Sequence, residues 1–244
     1  MSLAPLILGV ILGVIVVILG VYLLVQNYHQ PISRNFSLAT ITIGIAVIAS
    51  NLAVYSPIFT PQTWLKVAIL FYMLTHVVHI LFTYDFPRRD SMSRFGPIHS
   101  FFYFLMCIPL GYILITDVDQ WFTVQQATEI GRYYINSELM INVWGGLVFV
   151  HLLIAYYPMY RRWRVLQGYE KEQIRLMLIG LMGLVVLWFG AGFIIPLIID
   201  TNLSLLTLGT YAVAFYPVFT IYIIMRHRLF DVRVAQWKFI ANAI

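Results

Sequence analysis

Residues 3–26 read LAPLILGVILGVIVVILGVYLLVQ, a run without one charged side chain. A helix needs about 20 mostly apolar residues to cross about 30 Å of hydrocarbon, so this stretch is long enough to span a membrane. Six further segments of the same kind follow, at 36–56, 63–84, 97–116, 139–160, 174–199 and 203–225. None shows the period-2 alternation of a membrane β-strand. The segments and their links use nearly all of the 244 residues, which leaves no room for a separate soluble domain. The expected fold is all-α, a polytopic membrane bundle of seven transmembrane helices. The expected domains are the seven-helix unit at 1–225, with an outer loop at 117–138, and a juxtamembrane signalling helix at 226–244.

Composition agrees. The chain is 61% hydrophobic and 10% charged, against about 25% charged residues in an ordinary soluble domain. Basic residues are confined to alternate gaps. Arg34, then Arg88, Arg89 and Arg94, then Arg161, Arg162, Arg164, Lys171 and Arg175, then Arg226, Arg228, Arg233 and Lys238 make thirteen of the fifteen. The other gaps hold Arg132, with Lys66 nearby, among Asp117, Asp119, Glu129, Glu138 and Asp200. By the positive-inside rule the N-terminus is outside and the C-terminus cytoplasmic. The basic pI of about 9.3 then reflects topology and contact with the lipid bilayer, not nucleic-acid binding. The first segment is too long for a cleaved signal peptide and has no basic residue before it. Cys107 is the single cysteine, so no intrachain disulfide forms.

No internal repeat of the kind that marks secondary transporters is present. Pro109, Pro196 and Pro217 fall inside spans without pairing between halves. Gly9 and Gly13, like Gly180, Gly183, Gly190 and Gly192, are suited to close helix approach. The 117–138 link carries Trp121, Phe122, Ile130, Tyr133 and Tyr134, which predicts a structured cap, either a hairpin or an interfacial helix. Residues 226–244 alternate basic and apolar side chains, the pattern of a segment that lies on a membrane or continues as a helix.

Polar side chains inside a bilayer are costly and mark either helix–helix contacts or function. His76 and His79 share a face of the third span, His99 opens the fourth, and His151 lies in the fifth. All four fall at similar depth, the arrangement by which a bundle ligates haem or a transition metal or senses protons. Each could equally hydrogen-bond a neighbouring carbonyl or hydroxyl. No cysteine or carboxylate joins them, so no cofactor is expected, with haem or metal as the alternative. A second constellation, Asn51, Tyr55, Tyr72, Asn142, Thr207 and Tyr211, suits a pocket for a small, largely apolar ligand. The same residues would serve as hydrogen bonds between helices.

Enzyme chemistry is not expected. No span carries an Asp or Glu for a proton relay, and 203–225 has no Lys for a retinal Schiff base. No HExxH, GxSxG or P-loop occurs. Ser50 and Ser100 have no base at a matching spacing.

Two motifs carry a family resemblance. The run 170–180, EKEQIRLMLIG, resembles the R-x-Q-[IL]-R-x-x-[LM]-x-G entry to the sixth helix of the N-terminal seven-transmembrane sensor module of bacterial and archaeal histidine kinases, with Lys171 in place of the usual Arg. The run 222–232, YIIMRHRLFDV, resembles the Y-x-I-x-[RK]-[YH]-[RK]-L-F-D-[IV] exit of the same module. The resemblance implies a receptor in a prokaryotic cell membrane that detects an unknown small ligand or membrane-borne stimulus. Signal would pass through the last helix, with Arg226, Arg228, Leu229, Phe230 and Asp231 at the joint, to a C-terminal or separate histidine kinase or similar output. By analogy with kinases it implies a homodimer. It implies no particular ligand. A haem- or metal-binding redox protein and a small-molecule transporter are the competing readings.

Overall fold

The computed structural model describes residues 4–55, 59–116, 123–126, 133–136, 138–189, 215 and 217–220. Six long helices run through them: α1 (Ala4–Asn27), α2 (Pro31–Tyr55), α3 (Pro61–Asp85), α4 (Phe95–Thr116), α5 (Glu138–Val165) and α6 (Gly168–Phe189). Residues 217–220 are helical too. The 117–138 link holds the hairpin form of the expected cap. Its strands β1 (Thr123–Gln126) and β2 (Tyr133–Asn136) pair antiparallel, with Thr123 opposite Asn136 and Gln126 opposite Tyr133. The fold is therefore helical with one short hairpin, and β2 lies against α2.

Among the described residues three stretches are long and apolar enough to cross a membrane: Leu6–Asn27, Pro31–Ala53 and Pro61–Asp85. The apolar part of α4, Phe95–Pro109, is shorter. The outward faces of α1 (Ile7, Ile11, Val14, Ile18, Val25) and α4 (Ile98, Phe101, Phe102, Leu105, Tyr112) are large, apolar and exposed. Water does not tolerate continuous surfaces of that size, whereas lipid does. These are the helices of a membrane protein. The sixth expected span is described only as far as Phe189, and the seventh only at 215 and 217–220.

α1 buries only a narrow stripe, whereas α2 is buried over most of its surface. The stripe is Gly9, Gly13, Val16, Gly20 and Leu23, alternating steps of four and three that keep one face on a neighbour. That neighbour is α2. A Cβ on Gly13 would come within 2.6 Å of Ile48 Cγ1 and 3.0 Å of the Gly44 carbonyl oxygen. The glycines are what let the two backbones touch, as their spacing predicts. Gly180 of α6 likewise abuts the Phe219 ring.

On its other side α2 packs along α3, which also contacts α4 and α5, and α5 packs on α6. At the start of α3, Thr60 caps the helix by accepting from the Thr63 amide, and Pro61 occupies the first turn, where its missing N–H costs nothing. One apolar core (Phe36, Phe82, Phe86, Met159, Ile174, Met177) gathers side chains from α2, α3, α5 and α6, together with Leu23 of α1. A second (Leu65, Ile69, Met73, Ile80, Tyr103, Cys107) lies between α3 and α4. Polar contacts gather on α3, beside and between these cores.

Candidate functional site: a histidine cluster and a buried arginine on the α3–α5 seam

Positions 76 and 79 are one turn apart on α3, and the buried stripe of α5 runs through His151, Ala155, Met159 and Arg162. Packing the two helices brings three of the four singled-out histidines together. His79 Nδ1 lies 3.1 Å from His151 Nε2, so the two rings share one N–H···N hydrogen bond. The His76 ring stacks on His151 at 4.4 Å between centroids and 21° between planes. Its Nδ1 lies 3.0 Å from the Tyr103 hydroxyl of α4, which in turn donates to the Leu147 carbonyl at 3.2 Å. A hydroxyl has one proton. With that proton on the Leu147 carbonyl, the Tyr103 oxygen accepts from His76, which places a proton on His76 Nδ1. His151 Nδ1 is buried and has no partner among the described residues.

His99 stands apart. It stacks on Tyr84 at 5.2 Å and donates from Nδ1 to the Phe95 carbonyl at 2.8 Å. Among the described residues no group of three or more His, Cys, Asp or Glu side chains is placed to hold a metal ion. The geometry explains why: lone pairs lie in the ring planes, and stacked rings aim them side by side instead of at a common point. His79 and His151, meanwhile, are occupied with each other.

Three turns further along α5 the buried stripe ends on a charge. Arg162 is only 4% exposed, and its guanidinium makes five hydrogen bonds. Nε and Nη2 grip both oxygens of Asp90 at 2.9 and 2.6 Å. Nη1 donates to the carbonyls of Thr83 and Phe86 at 3.1 and 2.7 Å, and Nη2 to that of Tyr84 at 2.6 Å. The carbonyls at the end of α3 have no partner within the helix; Arg162 supplies one. The link between α3 and α4 folds around this contact: Asp90 Oδ1 accepts from the Met92 amide, and Ser93 Oγ donates to the Tyr84 carbonyl. The hydrogen bonds from Arg162 hold the Asp90 carboxyl below the usual carboxylate range, against partial burial that pulls the other way.

Two more helices are tied in at this end. Asp85 accepts from Asn35 of α2 at 3.4 Å and from Arg89 at 3.2 Å. Arg88 pairs with Glu170 of α6 at 3.2 Å. Side chains of α3, α5 and α6 thus converge on the nine residues of chain between α3 and α4, and α2 is tied to the last residue of α3 beside them.

Charge distribution alone assigns Arg162 to the headgroup layer, alongside Arg161 and Arg164. The structure corrects this and turns it into the core. The signal was present in the stripe, because 162 continues the four-and-three spacing of 151, 155 and 159. Asp90, Asp85, Asn35 and Tyr103 were not singled out from sequence either.

The ligand constellation divides. Asn51 faces α1, where its side chain fills the space left by Gly9, and its Nδ2 donates to the Val47 carbonyl at 2.8 Å. Tyr72 faces α2 instead and accepts from Ser50 Oγ at 3.4 Å. A Thr75–Thr42 hydrogen bond of 2.8 Å lies one turn along the same seam. Tyr55 ends α2 and Asn142 lies in the first turns of α5, but their side chains are outside the described residues. Thr207 and Tyr211 lie outside them altogether, as do Arg226, Arg228, Leu229, Phe230 and Asp231. No family model matches the chain, and no curated protein matches it in sequence.

Proposed function

We propose that the chain is the input module of a membrane receptor: seven spans, N-terminus outside and C-terminus cytoplasmic, without catalytic activity of its own. It receives a stimulus from outside or from within the membrane and passes it through its last helix to a signalling output of the histidine-kinase type. The observation that carries this reading is the Arg162 junction. A sensor must change the relation of its helices at the end where the output attaches, and it transmits only what the two arrangements distinguish. Here the ends of α3 and α5, and the entry to α6, are joined through one short link. A displacement of α5 is thereby imposed on its neighbours. The histidine cluster sits on the same α3–α5 seam, about 16 Å along the helix from Arg162 at 1.5 Å per residue. In the sequence the two motifs, at 170–180 and 222–232, open the sixth expected span and close the seventh, the two ends a signal to a C-terminal output would involve.

The test is a fusion of residue 244 to a dimeric kinase output with its own phosphoacceptor histidine and ATP-binding domain. ATP-dependent phosphorylation in membranes is compared between the native fusion and Arg162→Met. A severalfold change, at equal insertion, is expected. Unchanged phosphorylation overturns the reading. Reporter fusions in the successive links check the orientation independently.

The meeting of three histidines favours one second reading, an imidazole-ligated redox protein. It requires His79 and His151 to exchange their mutual hydrogen bond for a metal. A visible absorption band in purified protein that is lost in His151→Ala would establish it in place of the first.

A further inference from the structure

Arginines and lysines crowd the end of the bundle where Arg162 sits, and four of them are ion-paired. Arg88 is paired with Glu170, Arg89 with Asp85, Arg162 with Asp90 and Arg175 with Glu172. Arg34, Arg94, Arg161, Arg164 and Lys171 have no carboxylate partner among the described residues, and Arg94 lies over the Phe95 ring instead. Arg161, Arg164 and Lys171 belong to one turn. Arg161 and Arg164 are three apart on the last turn of α5, so they are neighbours on its surface, and both are exposed. Gly168, at φ 61°, reverses the chain into α6. That reversal brings Lys171 Nζ over the Trp163 ring, 5.5 Å from its centroid. Tyr160 lies 6.0 Å from the same ring. Beyond them Val165 is 75% exposed.

This is an unusual surface to leave bare. Three unneutralised cations surround an aromatic pair, immediately past the apolar stretch that ends at residue 160. Tyr and Trp favour the headgroup level, where one edge of the ring meets lipid and the other meets water. Cations at that level attract anionic headgroups, and Arg holds phosphate oxygens through its paired N–H donors. A free phosphate would satisfy the cations but not the exposed aromatic and aliphatic atoms beside them. A phospholipid satisfies both.

We propose that Arg161, Arg164 and Lys171, with Tyr160 and Trp163, form a site for the headgroup of one anionic phospholipid at the α5–α6 turn. The proposal does not depend on the chain being a sensor. It rests on α5 crossing the bilayer, which a reporter fusion in the α5–α6 link tests separately.

The experiment is native mass spectrometry of the protein released from mixed vesicles of phosphatidylglycerol and phosphatidylcholine with the same acyl chains. Severalfold preferential retention of one phosphatidylglycerol is expected. The triple variant Arg161→Gln, Arg164→Gln, Lys171→Gln should lose that preference. A control of equal charge loss, Arg88→Gln, Arg89→Gln, Arg175→Gln, removes only ion-paired cations and should keep it. Equal loss in both variants means that diffuse charge is responsible and overturns the site. So does retention of the preference in the triple variant, no preference in the native protein, or competition by inorganic phosphate as effective as by lipid. Should the triple variant fail to insert, Arg164→Gln alone alters one exposed side chain and should show part of the loss.

Discussion

Between α1 and α2 the backbones touch, whereas between α3 and α5 they are held together by polar side chains. On the first seam Gly13 and Gly44 oppose one another so closely that no Cβ fits, and the apolar side chains Val17, Ile41 and Ile48 fill the grooves on either side. On the second seam His79 meets His151, and Arg162 grips the end of α3. Lipid offers no hydrophobic drive to join one apolar helix to another, so a membrane helix pair must rely on close packing or on polar contacts. This bundle uses the two in different places. Close packing is insensitive to charge and pH. A polar seam can be altered by a proton, an ion or a displaced partner, and it is the seam on which a signal could act.

Breaking the polar seam should have the largest effect. Arg162→Ala leaves Asp90 and the carbonyls of Thr83, Tyr84 and Phe86 facing a vacancy. Asp90 is partly exposed and stays hydrated, but each buried carbonyl left without its donor costs about 1–3 kcal/mol. Unfolding followed by tryptophan fluorescence in mixed micelles should register a loss of that order. Arg162→Lys should recover only part of it, since an ammonium has three donors where the guanidinium has five. If Arg162→Ala costs no more than an exposed substitution, the junction is not what holds α3 to α5.

The dry seam should yield less. Gly13→Leu places a side chain where the Gly44 carbonyl and Ile48 already lie, and overpacking costs about 1–3 kcal/mol. Cysteines introduced at paired α1 and α2 positions should crosslink less readily in this variant, while the α3–α5 seam is unaffected. Loss at both seams would show that they are not independent.

These two seams differ in how far they can be read from sequence. The α1 face is legible because Gly9 and Gly13, four apart, announce it, and the buried stripe continues from them through Val16, Gly20 and Leu23. The hairpin is half legible: aromatic and polar residues at 117–138 specify a cap, but not whether it pairs as strands. The histidines at 76, 79, 99 and 151 could be named, yet only the packing of α3 against α5 brings the first two to His151, and only that of α4 against α3 turns His99 away to Tyr84. Arg162 is the instructive miss. A charge next to a span is most often in water, and two neighbours, Arg161 and Arg164, behave that way. Its burial depends on Asp90, seventy-two residues earlier, and no local pattern links the two.

Acidification should have the smallest effect, and it acts on one seam only. Asp90 has its carboxyl pKa depressed in the folded protein by the Arg162 hydrogen bonds. A depressed pKa contributes stability that is present above the unfolded value, about 3.9, and is lost as pH falls through the folded value. Stability should therefore be flat in this respect at neutral pH and fall only below about pH 4. The carboxylate is 36% exposed, and solvent screening keeps the contribution near the surface-pair range of about 1 kcal/mol or less. Unfolding measured across that range in the native protein and in Asp90→Asn isolates it: the variant should be less stable at neutral pH, and the difference should shrink in acid. A difference that stays constant with pH would mean that Asp90 holds Arg162 by shape instead of charge, and that the polar seam is no more sensitive to protons than the dry one.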